Sequence, residues 1–600
     1  MPQLPVYSTL SSMSRTGQTR PIPVDGQVLP PKVLLRRLGM LMLAAILAAL
    51  DRGFMQPLIG PVWIHSLQIL CMGVYMVDFW ILLPPGRLGM LATRQFISVA
   101  RLLHSLLVIS AILGTLQYNQ AWVLFDLLVV LMLSINLWWL NMLISRVLAK
   151  PELLLPMGFM LLIAIGTVLL KLPLATVPGP TLSWTDSLFT ITSAVCVTGL
   201  IVRDTATDFT PFGQAIIGIF ILLGGLGIMI FGTVFAMLLG ARTSLRDEIT
   251  LSRVLNDQPL QNVVKLTQFI LLCTLVCILV GTIAMIPMWH EPLSFSERVG
   301  YSLFHSVSAF CNAGFALESD SLMGYRYSML SHMVVVPLLV FGGLGFPVIS
   351  NLYAKLRHKT RLTLHTKTVL TTTAVLYVGG TVLLFAAQLA GHAHDAAGLN
   401  VTANAQHQAI TVGELGGKLA DASFLSWSSR TAGFNTIDMN NLSSGEYFVT
   451  MLLMMAGGSP SGTAGGMRTT TVALIFVGLL ATLRQKDEAT AFGRRLDESL
   501  IRKAAAMASC YIALVSFSAF LLCLSEPFPF YRILFEVVSA ATCTGLSAGI
   551  TGELTTFGKY VIIGTMFLGR LGPMGLLVIL FFKTVQGPRY RYAREDVLLG

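Results

Sequence analysis

The sequence predicts an all-α polytopic membrane protein: four pseudo-repeated units of helix, re-entrant pore loop and helix around a central pore, preceded by an N-terminal four-helix membrane extension. Three observations lead there. Hydrophobic residues make up 54% of the 600 and charged residues only 12%, with a mean hydropathy of +0.74. Apolar runs of about twenty residues, each long enough to cross a bilayer core, alternate with short clusters of charge. From residue 151 onward one pattern recurs four times: a span, a shorter half-apolar segment, a small-residue string and a second span.

In chain order, residues 1–31 are polar and proline-containing and read as a flexible cytoplasmic tail, neither a cleavable signal nor a span. Apolar segments at 33–50, 58–83, 97–117 and 121–145 form the extension, 32–150. Eight more follow at 152–170, 212–239, 263–288, 329–353, 366–390, 446–482, 502–524 and 556–582, which makes twelve candidate spans. They divide into pore repeat 1 (151–250), repeat 2 (251–362), repeat 3 with an intramembrane loop (363–498) and repeat 4 with the C-terminal tail (499–600). The half-apolar segments at 184–195, 295–310, 419–430 and 530–542 are too short to cross a bilayer as helices, so they read as re-entrant helices entering from the outer side.

The basic residues gather at alternate span ends: Arg36 and Arg37, Arg87 and Arg94, Arg146 and Lys150, Arg242 and Arg246, Lys355 to Arg361, Arg484 to Arg495, and Lys583 to Arg594. That one-directional bias puts the N-terminus in the cytoplasm and the protein in the cell membrane as a multi-pass protein, the inner membrane in a Gram-negative source. The net charge of +11 is therefore a topology signal rather than a nucleic-acid footprint. The eight cysteines form no disulfide framework, and Cys273 with Cys277 marks one packed side of a helix.

Each half-apolar segment ends in a related string. The four are Ser193-Ala-Val-Cys-Val197-Thr198-Gly199, Ser308-Ala-Phe-Cys-Asn312-Ala313-Gly314, Ser428-Ser-Arg-Thr431-Ala432-Gly433 and Ser539-Ala-Ala-Thr-Cys543-Thr544-Gly545. Their glycines follow one another at 115, 119 and 112 residues. One string alone reads equally as a turn or packing motif; four at matched spacing indicate an internal repeat. A pore that strips water from a potassium ion must offer oxygens of similar field strength, and backbone carbonyls converging from several strands do so. Non-helical backbone at membrane depth is tolerated where it lines such a cavity. Glycine leaves room for four strands to meet, and a re-entrant helix brings the negative end of its dipole toward the centre.

With these strings, residues 151–600 resemble the ion-translocating subunit of the Trk/Ktr/HKT superfamily of potassium transporters. The third string, Arg430-Thr-Ala-Gly-Phe-Asn-Thr436, is closer to the Ktr type. The resemblance implies that the ion-coordinating carbonyls belong to Val197, Thr198 and Gly199; Asn312, Ala313 and Gly314; Thr431, Ala432 and Gly433; and Cys543, Thr544 and Gly545. Sodium-preferring plant relatives replace the first filter glycine by serine, so four glycines favour potassium. The resemblance also implies a cytosolic ring of nucleotide-binding regulatory subunits. It further implies a homodimer with one pore per chain, because the tail Tyr592 to Gly600 is similar to Ktr-type C-termini that pack at the subunit contact. Potassium is then substrate; no covalent cofactor is expected, and any regulatory nucleotide belongs to the partner subunit.

The segment 446–482 is interrupted by Ala456-Gly457-Gly458-Ser459-Pro460-Ser461-Gly462-Thr463-Ala464-Gly465-Gly466. Such a density of glycine around a proline ends a helix, and unwound backbone in mid-membrane must face water or protein. In the superfamily this segment resembles the intramembrane gate loop. Arg570, within Gly569-Arg-Leu-Gly572 of the last span, is the second gate element. An arginine at the bilayer centre costs at least ~2.5 kcal/mol on insertion scales, so it is expected to face the interior. There it either completes a structural ion pair or opposes cation residence below the filter.

Other signals are weaker. Asp78, Arg101, His104 and Asp126 fall within the extension and either pair there or form a relay; the fourth span lacks the arginine series of a voltage sensor. His392, His394 and Asp395 read as a solvated outer loop rather than a metal site, and Gly457 to Gly462 lacks the ending of a nucleotide-binding loop. Two competing functions stand beside potassium uptake. One is a sodium-conducting relative. The other is an intramembrane enzyme using Ser459 or Ser461 with His305, which leaves the fourfold repeat unexplained.

Overall fold

Serine, threonine and aspartate placed ahead of apolar runs set where the helices begin. The computed structural model describes residues 61–81, 103–112, 154–178, 182–240, 261–289, 293–396, 412–486 and 488–572, with single positions between 37 and 47 and between 124 and 132. The tail 1–31, the basic clusters at 87–94, 146–150 and 242–246, and everything after Gly572, including Tyr592 to Gly600, lie outside the described residues. By contacts the chain divides into two units, Met1–Ala149 and Lys150–Gly600.

The first unit contains α1 (Pro61–Ile81) and α2 (Leu103–Ile112). Their apolar residues Cys71, Met72, Tyr75 and Leu107 pack with Phe125, Leu128 and Val129 into a small core. Within it the Gln68 amide donates to Asp126 at 3.1 Å, and the rings of Tyr75 and His104 stack at 5.9 Å. Asp126 and His104 thus each meet a residue outside the expected set, Gln68 and Tyr75; Arg101 and the Asp78 side chain lie outside the described residues.

The second unit repeats one motif. Its first turn is α3 (Leu154–Leu170), α4 (Trp184–Cys196) and α5 (Pro211–Gly240). The second is α6 (Gln261–Met285), α7 (Phe295–Cys311), α8 (Val336–Leu344) and α9 (Phe346–His358). The third is α10 (Leu364–Ala396), α11 (Val412–Ser428), α12 (Ser444–Met455) and α13 (Thr469–Leu483). The fourth is α14 (Glu498–Ser525), α15 (Phe530–Thr542) and α16 (Thr556–Leu571). A two-residue hairpin, β1 (Thr490–Ala491) with β2 (Arg494–Arg495), links the third and fourth.

Caps act at the sequence positions that favour them. Ser294 with Glu297 and Ser443 with Glu446 form capping boxes on α7 and α12. The Ser183 hydroxyl accepts from the Asp186 amide at 2.9 Å on α4. Each such cap is worth about 1 kcal/mol. The core runs through the short helices α4, α7, α11 and α15. Four residues before the serine of each string stands a phenylalanine, Phe189, Phe304, Phe424 or Phe535, exposed by 0%, 8%, 1% and 0%. Around them α6 turns the stripe Leu272, Leu275, Leu279 and Ile283 outward while Ile270, Ile278 and Met285 face the core. Exposed apolar stripes of this kind need a hydrocarbon solvent. α10 and α14 carry similar stripes, which fits a multi-pass membrane protein.

Three differences from the sequence reading are physical. Segment 329–353 is not one straight span: after a π-helical turn, Ser331–Val335, α8 ends and α9 leaves at 102°. The break falls at Gly345, whose φ of +82° suits glycine. The segment expected at 419–430 starts earlier, at Val412, because its N-terminal half remains helical despite Gly416 and Gly417. The positions of His392, His394 and Asp395 lie in the last turns of α10 rather than in a loop.

Candidate ion pathway

The short helices α4, α7, α11 and α15 stop in one way. After each, a non-glycine residue takes the left-handed conformation: Val197 (φ +56°), Asn312 (+59°), Thr431 (+67°) and Cys543 (+53°). The next amide closes the last turn, from Thr198 to the Ser193 carbonyl at 2.8 Å, Ala313 to Ser308 at 2.7 Å, Ala432 to Ser428 at 2.9 Å and Thr544 to Ser539 at 2.9 Å. Left-handed geometry at a residue with a Cβ costs about 1–2 kcal/mol. Four such residues at equivalent places are strain held by the surrounding packing.

The chain then passes Gly199, Gly314, Gly433 and Gly545, all at positive φ, and these four form a closed ring. A methyl group built on Gly199 would lie 2.4 Å from the Ala313 oxygen and 3.3 Å from Gly314 Cα; on Gly314, 2.8 Å from Gly433 Cα; on Gly433, 3.3 Å from Gly545 Cα; and on Gly545, 3.0 Å from Gly199 Cα and 2.2 Å from the Thr198 oxygen. The absence of a side chain is what lets the strands approach. The twelve residues expected in the filter lie one triplet per strand; ten are buried, and Gly314 and Gly545 are half-buried.

The serine that begins each string holds its strand from behind. Ser193 and Ser539 accept from the amides of Gly199 and Gly545, both at 3.0 Å. Ser308 donates to the Phe315 carbonyl at 2.7 Å, and Ser428 donates to that of Phe434.

The glycine-rich segment between α12 and α13 is unwound, and it is packed on several sides. Of residues 457–466 only Pro460 and Ser461 are not buried. The amides of Ser459 and Thr463 donate to Gly343 and Gly342 at 2.9 and 3.1 Å, and Phe346 donates back to Ser461 at 3.1 Å. The loop therefore rests on the break between α8 and α9. Gly465 lies against Cys543 and the Thr542 carbonyl, so a Cβ there would clash at 2.7 Å.

Arginines supply donors to this unwound backbone. Arg570, 3% exposed, donates from Nη1 to the Thr463 carbonyl at 2.6 Å and from Nη2 to the Gly224 carbonyl at 3.0 Å. Arg468 donates to Ala464 at 2.6 Å, and buried Arg430 reaches Gly457 at 3.4 Å. Arg570 thus faces the interior, as its position demanded, and its partners are carbonyls rather than an acid. It occupies the last turn of α16, which ends at Gly572 (φ +83°).

Sequence reading missed a second repeat. Gly224-Gly-Leu-Gly227, Gly342-Gly-Leu-Gly345 and Gly569-Arg-Leu-Gly572 recur on the helix after each of three of the four strings. The first glycine of each presses on the end of a short helix: a Cβ would lie 2.0 Å from the Val195 oxygen, 2.0 Å from Phe310 and 2.1 Å from Ala541. The recurrence itself was the available signal, and it places Arg570 at the position of Gly225 and Gly343.

The residues of an enzyme reading are not brought together. The Ser459 hydroxyl pairs with Thr469 at 3.3 Å, Ser461 is exposed, and His305 contacts the backbone of Tyr301 and Leu317. Among the described residues no cluster of three metal-ligating side chains occurs. Two ion pairs join neighbouring repeats: Lys559 with Asp186 at 2.8 Å, and Arg326, through two nitrogens, with Asp421.

Known proteins share this chain's sequence and fold. The profile of the TrkH cation transport protein family matches residues 126–590. The Ktr system potassium uptake protein B of Bacillus subtilis is 36% identical over 459 residues, 75% of this chain and 97% of that protein. The potassium/sodium uptake protein NtpJ of Enterococcus hirae is 34% identical, covering 75% and 97%. In fold the chain resembles the crystal structure of the potassium transporter TrkH from Vibrio parahaemolyticus, with a TM-score of 0.57 at 15% identity over 92% of this chain and 99% of that one. The structural match extends over more of the chain than the sequence matches do. With most of its length covered by the family profile and by relatives above 30% identity, this chain belongs to the TrkH family of cation transport proteins.

Proposed function

We propose that this protein takes up potassium across the cytoplasmic membrane as the translocating subunit of a Ktr/Trk-type system. The closed ring of Gly199, Gly314, Gly433 and Gly545 is the observation that carries this reading. Four strands meeting backbone to backbone leave a narrow passage, and the carbonyls of the triplets ending in these glycines are the oxygens available to replace an ion's water. The loop Gly457 to Gly466 and Arg570 form the barrier below it. The relatives named for potassium uptake support the choice of ion.

Each chain holds all four strings, so each carries a pore of its own, and two chains associate as a dimer on which a nucleotide-binding regulatory ring docks. Mass measurement in mild detergent tests the dimer: a species of two chains is expected, and monomers alone would remove it. Complementation tests the ion. A potassium-uptake-deficient bacterium expressing this chain with a Ktr-type regulatory subunit should regain growth at low potassium. The second reading, sodium conduction, draws on the relative named for both potassium and sodium. It predicts sodium sensitivity without rescue at low potassium.

A further inference from the structure

Aligning the four short helices on Ser193, Ser308, Ser428 and Ser539 brings Phe189, Phe304, Phe424 and Phe535 into register. The next position is then Thr190, His305, Leu425 and Glu536, all deeply buried. In repeats 1 and 3 this residue does not reach the filter strand: the Thr190 hydroxyl donates to Asp186 of its own helix at 2.9 Å, and Leu425 is apolar. In repeats 2 and 4 it leaves its helix and holds the chain just beyond the filter.

His305 stands 2.9 Å from the Tyr301 carbonyl through Nδ1. A carbonyl only accepts, so Nδ1 carries the proton and Nε2 is left as an acceptor. Nε2 accepts from the Leu317 amide at 3.3 Å. Glu536 Oε1 accepts from the Ala548 amide at 3.1 Å and from the Ser547 hydroxyl, while Oε2 accepts from Thr551 at 3.0 Å. Leu317 lies three residues after Gly314, and Ala548 three residues after Gly545. Two chemically different side chains thus make one contact at equivalent places. In the glycine ring, repeat 2 adjoins repeats 1 and 3, and so does repeat 4, which places the two contacts on opposite sides of the passage.

We infer that His305 and Glu536 are positioning residues that determine cation selectivity, two clasps that fix the width of the ring from opposite sides. The inference rests on the reading of these strands as the filter. Where a carbonyl ring selects by size, it prefers the larger ion while it resists closing around the smaller one. A strand tied to its own re-entrant helix by a second contact beyond the filter, in addition to its serine, resists that closure more than one held by the serine alone.

The test uses the full-length chain in proteoliposomes, reading potassium uptake against sodium uptake under one imposed potential. His305→Ala and Glu536→Ala are each expected to lower the preference for potassium by about fivefold, the equivalent of one net hydrogen bond. His305→Gln, whose side-chain carbonyl can accept from Leu317, should restore most of the preference. Thr190→Val and Leu425→Met, at the same register but without a clasp, should leave it unchanged. Where an alanine variant does not yield folded protein, methionine replaces it, close in volume and lacking a comparable acceptor, and the same outcomes apply. Unchanged preference in the alanine variants, or an equal loss in the Thr190 and Leu425 variants, overturns the inference. Gly199→Ser separates the two levels. If it alters preference while His305→Ala and Glu536→Ala do not, the filter stands and the clasps fall; if it alters nothing, the filter reading falls and the clasps with it.

Discussion

Arg570 Nη1 donates to the Thr463 carbonyl at 2.6 Å, which ties the last helix of the fourth repeat to the unwound loop of the third. The same guanidinium reaches the Gly224 carbonyl of the first repeat at 3.0 Å, so one side chain bridges three repeats. A charge-assisted hydrogen bond is worth about 1.5–3 kcal/mol. If this contact holds the barrier closed, Arg570→Ala shifts the loop toward its open arrangement and raises flux about tenfold without the regulatory subunit. Potassium preference should be largely retained. Uptake by partner-free proteoliposomes, with insertion verified, checks this, and flux at the wild-type level would remove Arg570 from the gate.

Gly199 leaves no room for a side chain. Its φ is +92° and a Cβ would lie 2.4 Å from the Ala313 oxygen, so a serine must displace one quadrant of the ring. Strain of this kind is of order 1–3 kcal/mol. Gly199→Ser should therefore reduce potassium over sodium discrimination by roughly fivefold or more. Competition between the two ions in reconstituted protein measures it, and an unchanged ratio would take Gly199 out of the filter.

The seam between repeats 2 and 3 is held by Arg326 on Asp421, with Nε at 2.9 Å from Oδ1. The Asp421 side chain is 3% exposed and that of Arg326 37%. Solvent on the arginine side moderates the pair, so Asp421→Asn should cost on the order of 1 kcal/mol. A lower thermal midpoint in detergent is expected, with the ratio of potassium to sodium uptake unaltered. A changed ratio with an unchanged midpoint would mean that the pair acts on the pathway instead.

Much of this molecule was legible in the residues because a fold built by repetition leaves its period in the chain. The strings around Gly199, Gly314, Gly433 and Gly545 are local, and their common spacing exposed them. The density of glycine around Pro460 announced unwound backbone for a similar reason. What stayed hidden depends on contacts across repeats. Gly345 reads as one more glycine in an apolar run until the loop carbonyls of Pro460 and Ser461 are seen against it. Arg570 suggested a buried charge, but its carbonyl partners are 107 and 346 residues away. His305 and Glu536 share no chemistry that a sequence comparison would match, and only their common contact relates them.

The break at Gly345 gives the last prediction. The residue lies between two helices crossing at 102°, at φ +82°, and a Cβ on it would stand 2.5 Å from the Pro460 oxygen. Gly345→Val meets both restrictions, since a β-branched residue resists positive φ and its methyl groups fall where the loop packs. The α8–α9 pair cannot relieve both by straightening, because the Phe346 amide would then lose the Ser461 carbonyl that it donates to at 3.1 Å. The loop is the more yielding partner, because it is unwound and held by separate hydrogen bonds, about 1 kcal/mol for a neutral one and about 1.5–3 kcal/mol for those from Arg570 and Arg468. Gly345→Val should thus displace the loop, raising partner-free flux in the same direction as Arg570→Ala and lowering thermal stability as well. The double variant should show less than the product of the two increases, because both act on one element. Independent, multiplicative effects would mean that Gly345 and Arg570 influence flux by separate routes, and a folded Gly345→Val protein with wild-type flux would leave the bend as scaffold alone.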